Sequence, residues 1–166
     1  MKNHWSLKEI YEYKSKMSIK QKIKILEGCT IPVLTYGAQT WAATEGHMDM
    51  IAKTQVAVER SIIGVKKDRV KNQIVRKKTK ARDCRYVAKK LKMDYAGHVA
   101  RGGENRWEKI IMEWTPLQGK RRVGRPKTRW EDEIIKFAGT TWGRDARVRD
   151  RWRKVGEAYA HTSYKI

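Results

Sequence analysis

The stretch Gly46-His47-Met48-Asp49-Met50-Ile51-Ala52-Lys53-Thr54-Gln55-Val56-Ala57-Val58-Glu59-Arg60-Ser61-Ile62-Ile63-Gly64 decides the fold class. Ile51, Val58 and Ile62 fall on one side of an α-helix, and Gly64 follows as a C-terminal stop. The same helical periodicity extends in both directions. Upstream, Ser18 to about Trp41 places Ile19, Ile23, Leu26 and Val33 on one side, with Pro32 expected to kink or break the helix because it removes a hydrogen bond. Downstream, short helices are expected near Asn72–Lys78 and Arg82–Met93, the second capped by Asp83 or Thr79. Glu104–Trp114 carries Trp107, Ile110, Ile111 and Trp114 at helical spacing. Trp130, Ile134 and Phe137 form the stripe of a helix whose first turn accommodates Pro126 and which Gly139 ends. A last helix from about Trp142 to Tyr159 aligns Val148, Trp152, Val155 and Tyr159. With only three prolines in 166 residues, the chain reads as all-α: two small helical bundles joined by a basic connector. The divisions are 1–65, a first helical segment; 66–101, the connector and hinge; and 102–166, a C-terminal helical segment.

Thirty-nine Lys and Arg against 18 Asp and Glu give a formal charge of +21. A chain this basic attracts polyanions, and the abundant cellular polyanions are RNA and DNA. An anionic membrane surface fits less well, because the basic residues occur in clusters with Trp and Tyr between them rather than opposite a broad apolar stripe. No run of about 18 apolar residues offers a membrane span, and Met1-Lys2-Asn3-His4-Trp5 lacks a secretory core. Cys29 and Cys84 make neither a disulfide scaffold nor a metal pair, and both read as small buried residues. An intracellular and, for a nucleic-acid binder, nuclear location is expected.

Machinery for catalysis is not visible. Polymerases and many nucleases converge two or three carboxylates on divalent metal, yet the dense acidic cluster Glu131-Asp132-Glu133 lies on consecutive helical positions that point in different directions. Acids near a helix N-terminus are explained by the helix dipole. The four histidines, His4, His47, His98 and His161, are scattered, and His98 reads as a packed histidine in a segment of tight helix contact, with phosphate contact as the alternative. No glycine-rich phosphate loop occurs. No catalytic residue, metal or cofactor is therefore assigned, and the chain alone is not expected to be an enzyme.

The expected phosphate contacts are Arg76, Lys77, Lys78 and Lys80 in the connector, with Lys120, Arg121, Arg122, Arg125, Lys127 and Arg129 further on. The second group surrounds Gly124-Arg125-Pro126, which is similar to an AT-hook, whose arginine enters a narrow A·T minor groove. An independent AT-hook-like DNA-binding protein is thus the alternative. It competes with a loop in which Gly124 ends an irregular segment and Pro126 opens a helix. Exposed tryptophans would stack on bases, but Trp107, Trp114, Trp130 and Trp152 all fall on apolar stripes and are expected in the core.

Taken in order, Trp5–Ile10, Ile31–Trp41, Glu59–Val65, Asp68–Arg76, Ala96–Arg101, Arg106-Trp107, Glu113-Trp114, Gly124-Arg125-Pro126, Arg129-Trp130, Asp132, Ala138-Gly139, Trp142, Asp150–Trp152 and Gly156–Tyr159 resemble the region after the palm in non-LTR, LINE-type reverse transcriptases. The order and spacing are most similar to the C-terminal part of RTE-clade endonuclease-reverse transcriptases. That resemblance implies a thumb over 1–65 and a nucleic-acid-binding segment over 102–166. It also implies that the polymerase and endonuclease active sites lie on polypeptide preceding Met1. The Tyr/Phe-Ala-Asp-Asp turn of the family does not occur in this sequence. Tyr95 stands where the family usually has Trp, and Lys66-Lys67 makes the turn after Gly64 more basic than usual.

Overall fold

A computed structural model describes residues 8–11, 16–65, 70–103, 105–113 and 128–162. Among these every regular element is helical, and the fold is all-α. The chain forms two compact units, one drawn from residues 1–37 and 45–88, the other from 38–44 and 89–162.

The first unit contains α1 (Lys8–Tyr11), α2 (Ile19–Ile25), α3 (Ile31–Leu34), α4 (Glu45–Ile63), α5 (Asn72–Thr79) and the first turn of α6 (Cys84–Arg101). Ser18 opens α2 with a capping box, its hydroxyl accepting from the Gln21 N–H while the Gln21 side chain accepts from the Ser18 N–H. The expected disturbance at Pro32 takes the form of a π-turn over Leu26–Thr30, in which the Ile31 N–H reaches back to the Leu26 carbonyl. The chain thus widens by one residue where proline has no N–H to offer, instead of breaking. That extra residue rotates the face that follows. Thr30 and Ile31 are buried with Leu26, while Val33, expected inside, is exposed; Ile19, in the first turn of α2 ahead of the π-turn, is exposed as well. Helix α4 follows its sequence reading closely. Val58 and Ile62 are buried with Tyr11, Leu26, Ile31 and Cys84, Ile51 packs against them, and Gly64 stops the helix at φ 71°.

Asp83 caps α6, its Oδ1 accepting from the Arg85 N–H at 2.8 Å. The helix runs to Arg101 rather than Met93, because Gly97 serves in it as a point of close packing and not as a stop.

The second unit holds the rest of α6, then α7 (Trp107–Glu113), α8 (Asp132–Ala138), α9 (Trp142–Asp145) and α10 (Arg149–His161). Its core is Met93, Ala96, Ile134, Trp142, Ala146, Trp152 and Tyr159. The Trp142 ring lies 6.4 Å from Trp130 and 5.8 Å from Trp152, and Tyr95 meets the Trp130 ring edge-on at 6.1 Å. The Trp152 indole N–H donates to the Met93 carbonyl at 2.7 Å. Residues 38–44 join this unit: the Gln39 carbonyl accepts from Trp130 Nε1 at 2.7 Å and the Trp41 carbonyl from Lys92 Nζ at 3.1 Å.

Three expectations are corrected in this unit. Trp107, Ile110 and Ile111 are not core; Trp107 is 75% exposed. The expected helix from Trp142 to Tyr159 is two helices, since the Ala146 carbonyl accepts from Arg101 Nη1 at 2.7 Å and Val148 is extended. Helix α8 starts at Asp132, with Thr128 and Arg129 non-helical, so Pro126 does not open it.

Candidate nucleic-acid interface

In the first unit, residues 70–82 hold six cations and no acid. Helix α5 sorts them by direction. Val75 and Thr79, one turn apart, are buried, and this phase directs the neighbouring Arg76 inward. Its Nη1 donates to Glu59 Oε1 at 2.9 Å and its Nη2 to Asp83 Oδ2 at 2.6 Å. Both carboxylates are fully screened from solvent, and each has further donors. Glu59 accepts from Gln55 Nε2 at 2.7 Å and Thr79 Oγ1 at 2.9 Å. Gln55 in turn holds the chain into α6, donating to the Arg82 carbonyl and accepting from the Cys84 N–H, both at 2.8 Å. Arg76 is therefore a bridge inside the unit. Arg60 ties down the start of α5, its Nη2 donating to the Val70 carbonyl at 2.7 Å and Asn72 Oδ1 at 2.6 Å.

Lys77, Lys78 and Lys80 face solvent, flanked by exposed Lys71 and Arg82, and no described residue pairs the charge of any of these five side chains. Cations in a last helical turn gain about 0.3–1 kcal/mol from the helix dipole, which accounts for part of the cluster. It does not account for Lys80, which ends α5 in the left-handed conformation at φ 51°, ψ 23°. It is the one non-glycine residue with positive φ among those described, at a position where glycine is the usual choice. Lys71 and Arg82 belong to the same acid-free run of the basic connector but are not among the phosphate contacts expected from the sequence.

In the second unit, Arg129 is exposed, and its backbone N–H donates to Asp132 Oδ2 at 2.6 Å. Lys120, Arg121, Arg122, Arg125 and Lys127 lie outside the described residues. Two acids of the Glu131-Asp132-Glu133 cluster have structural partners: Asp132 holds the Arg129 N–H, and Glu133 accepts from Lys92 Nζ at 2.5 Å and the Tyr159 hydroxyl at 2.9 Å. Lys92 is buried, and Glu133 with the Trp41 carbonyl offsets the desolvation of its charge. Among the described residues no three His, Cys, Asp or Glu side chains are grouped to hold a metal ion. Nor is any helix among them long and apolar enough to cross a membrane.

His98, expected to be packed, is exposed, and so is Cys29. Both sit on helical turns whose opposite faces meet the core. Cys84 is buried as expected; burial first, then the neighbouring Asp83 charge, pushes its thiol up to about 12, against a smaller opposing effect of Arg76 and Arg85. Such a thiol is not a nucleophile near neutral pH.

Over 143 residues the chain is 30% identical to a Caenorhabditis elegans protein described as uncharacterized and transposon-derived. The match takes in 83% of this chain and 51% of that protein, so the chain spans about half the length of the curated relative it matches. No protein-family model and no solved structure matches the chain.

Proposed function

We propose that this chain is a transposable-element product: the thumb and post-thumb part of a non-LTR, RTE-type reverse transcriptase. It holds template–primer duplex or element RNA through the sugar-phosphate backbone and carries no polymerase or endonuclease residues of its own. The observation that carries the reading is the exposed set Lys71, Lys77, Lys78, Lys80 and Arg82, whose side-chain charges no described carboxylate pairs (Glu27 accepts only from the Arg82 backbone N–H, at 2.8 Å), on a chain of charge +21. Point charges on a helix and its C-terminal turn meet phosphates without reading bases, so affinity is expected to be electrostatic and nearly independent of sequence. Similarity to a transposon-derived protein, and the ordered motifs that resemble the end of a reverse transcriptase, supply the biological context. Arg76, one of the ten cations picked from the sequence, is reassigned to internal support for the lysines beside it.

Equilibrium binding to A·T-rich and G·C-rich duplexes and to an RNA–DNA hybrid of equal length tests the proposal. It expects affinities within a few-fold of one another, and it fails if none of the three is bound at about 50 mM salt, where phosphate contacts are strong. A second reading is favoured by the non-helical Thr128 and Arg129, which separate Gly124-Arg125-Pro126 from α8. That spacing removes the expected helix start at Pro126 and suits an AT-hook-like insertion of Arg125. A strong preference for the A·T-rich duplex, abolished by Arg125→Ala, would establish that reading instead.

A further inference from the structure

Residues 144–154, Arg-Asp-Ala-Arg-Val-Arg-Asp-Arg-Trp-Arg-Lys, hold six cations and two acids, and nothing in the sequence reading selected them. All six cations, on α9, the turn after it and α10, are exposed. The two acids are already engaged: Asp145 with Arg151 at 3.2 Å and Asp150 with Arg153 at 3.6 Å. No described residue pairs the remaining Arg144, Arg147, Arg149 and Lys154.

Folding does not ask for this cluster. Arg149 lies in the first turn of α10, where the helix dipole disfavours positive charge, and the helix gains no side-chain cap from Val148. Packing demands only the opposite face, where Trp152, Gly156, Tyr159 and Ala160 are buried. That face is firmly seated, because the Trp152 indole is hydrogen-bonded to the Met93 carbonyl and Gly156 lets α10 approach Met93 so closely that a Cβ would stand 3.2 Å from the Met93 Cβ. Arg149 and Lys154 are thus presented by a helix packed closely on the core, while Arg144 and Arg147 stand on α9 and the turn after it. Five of the six are arginines, whose planar forks match phosphate oxygens better than lysine does.

We infer that Arg144, Arg147, Arg149 and Lys154 form a second phosphate-contact surface, lying on the second unit and taking the sugar-phosphate backbone of a nucleic acid. The inference rests on the reading of the chain as a nucleic-acid binder and adds residues to it. A set of exposed cations that no described carboxylate pairs suits a ligand with repeated single charges. An acidic protein segment is the competing occupant.

The test uses the full chain, a fluorescent DNA duplex of about 20 base pairs and a salt titration, since each lost phosphate contact lowers the log–log slope by about one. The variant Arg144→Ala/Arg147→Ala/Arg149→Ala/Lys154→Ala is expected to fold normally by circular dichroism and to lose about three to four from the slope. A control removing equal charge from exposed Lys16, Lys20, Lys24 and Lys53 is expected to keep the wild-type slope. A wild-type slope in the quadruple variant overturns the inference while leaving the proposed function in place. Equal loss in the control also overturns it, since net charge alone would then suffice. Displacement of duplex by poly-glutamate at matched charge overturns the choice of occupant. Wild-type protein that binds no duplex removes both the inference and the function on which it rests.

Discussion

Gly97 and Trp152 fit together without room for one more carbon. A Cβ placed on Gly97 would overlap the indole Cδ1 of Trp152 and stand 2.6 Å from its Nε1, the nitrogen that donates to the Met93 carbonyl. The glycine in the middle of α6 is a packing requirement of the second unit.

Gly97→Ala should therefore lower stability by about 1–3 kcal/mol, as overpacking does, measured as a shift of the urea midpoint. The sign is diagnostic. An unconstrained helical glycine would gain about 1 kcal/mol from the same change.

Arg76→Ala leaves Glu59 buried without a cation and Asp83 with Arg85 alone, 3.3 Å away, and should cost about 3–5 kcal/mol. Lys77→Ala and Lys78→Ala touch no described partner and should change stability by less than about 1 kcal/mol. In duplex binding the lysine variants should each lower the salt slope by about one. Thermal unfolding and binding together thus separate the inward cation from its outward neighbours.

Lys80→Gly relieves a left-handed residue that costs an L-amino acid about 1–2 kcal/mol, so the variant should be at least as stable as wild type. It should still bind duplex more weakly, having lost a cation. A marked loss of stability in denaturant unfolding would mean that the Lys80 side chain supports the fold.

A thiol reagent at pH 8 should label exposed Cys29 rapidly and buried Cys84 only on unfolding. Between about pH 9.0, where an unconstrained thiol ionises, and about 12, the folded chain keeps a Cys84 proton that the unfolded chain has lost. The contribution of that protonated thiol is whole below pH 9.0 and disappears as the pH rises to about 12. Cys84→Ala should therefore have a flatter stability profile over that range, read by denaturant midpoints.

Helix α4 was legible because Ile51, Val58, Ile62 and Gly64 express one local rule each and no distant residue alters them. Pro32 was legible as a disturbance, but its resolution as a π-turn, and the rotation that exposes Val33, depend on hydrogen-bond register that side-chain spacing does not record. Trp107 shows the limit of periodicity: its spacing from Ile110 and Ile111 defines a helix face and says nothing about whether an element lies opposite. Lys92 and Glu133 are 41 residues apart, so neither could be recognised from the sequence as the other's buried partner. For the candidate interface, composition located the basic connector. It could not tell that Arg76 turns inward, because that depends on where Glu59 and Asp83 meet in three dimensions.

The most direct measurement is the salt dependence of wild-type binding to a random-sequence duplex. Five phosphate contacts from residues 71–82 give a slope of log affinity against log salt near −5, and four more from residues 144–154 take it to about −8. A steep slope of that order, shared by unrelated sequences, is the expected result; affinity that does not change with salt would contradict an interface made of exposed lysines and arginines.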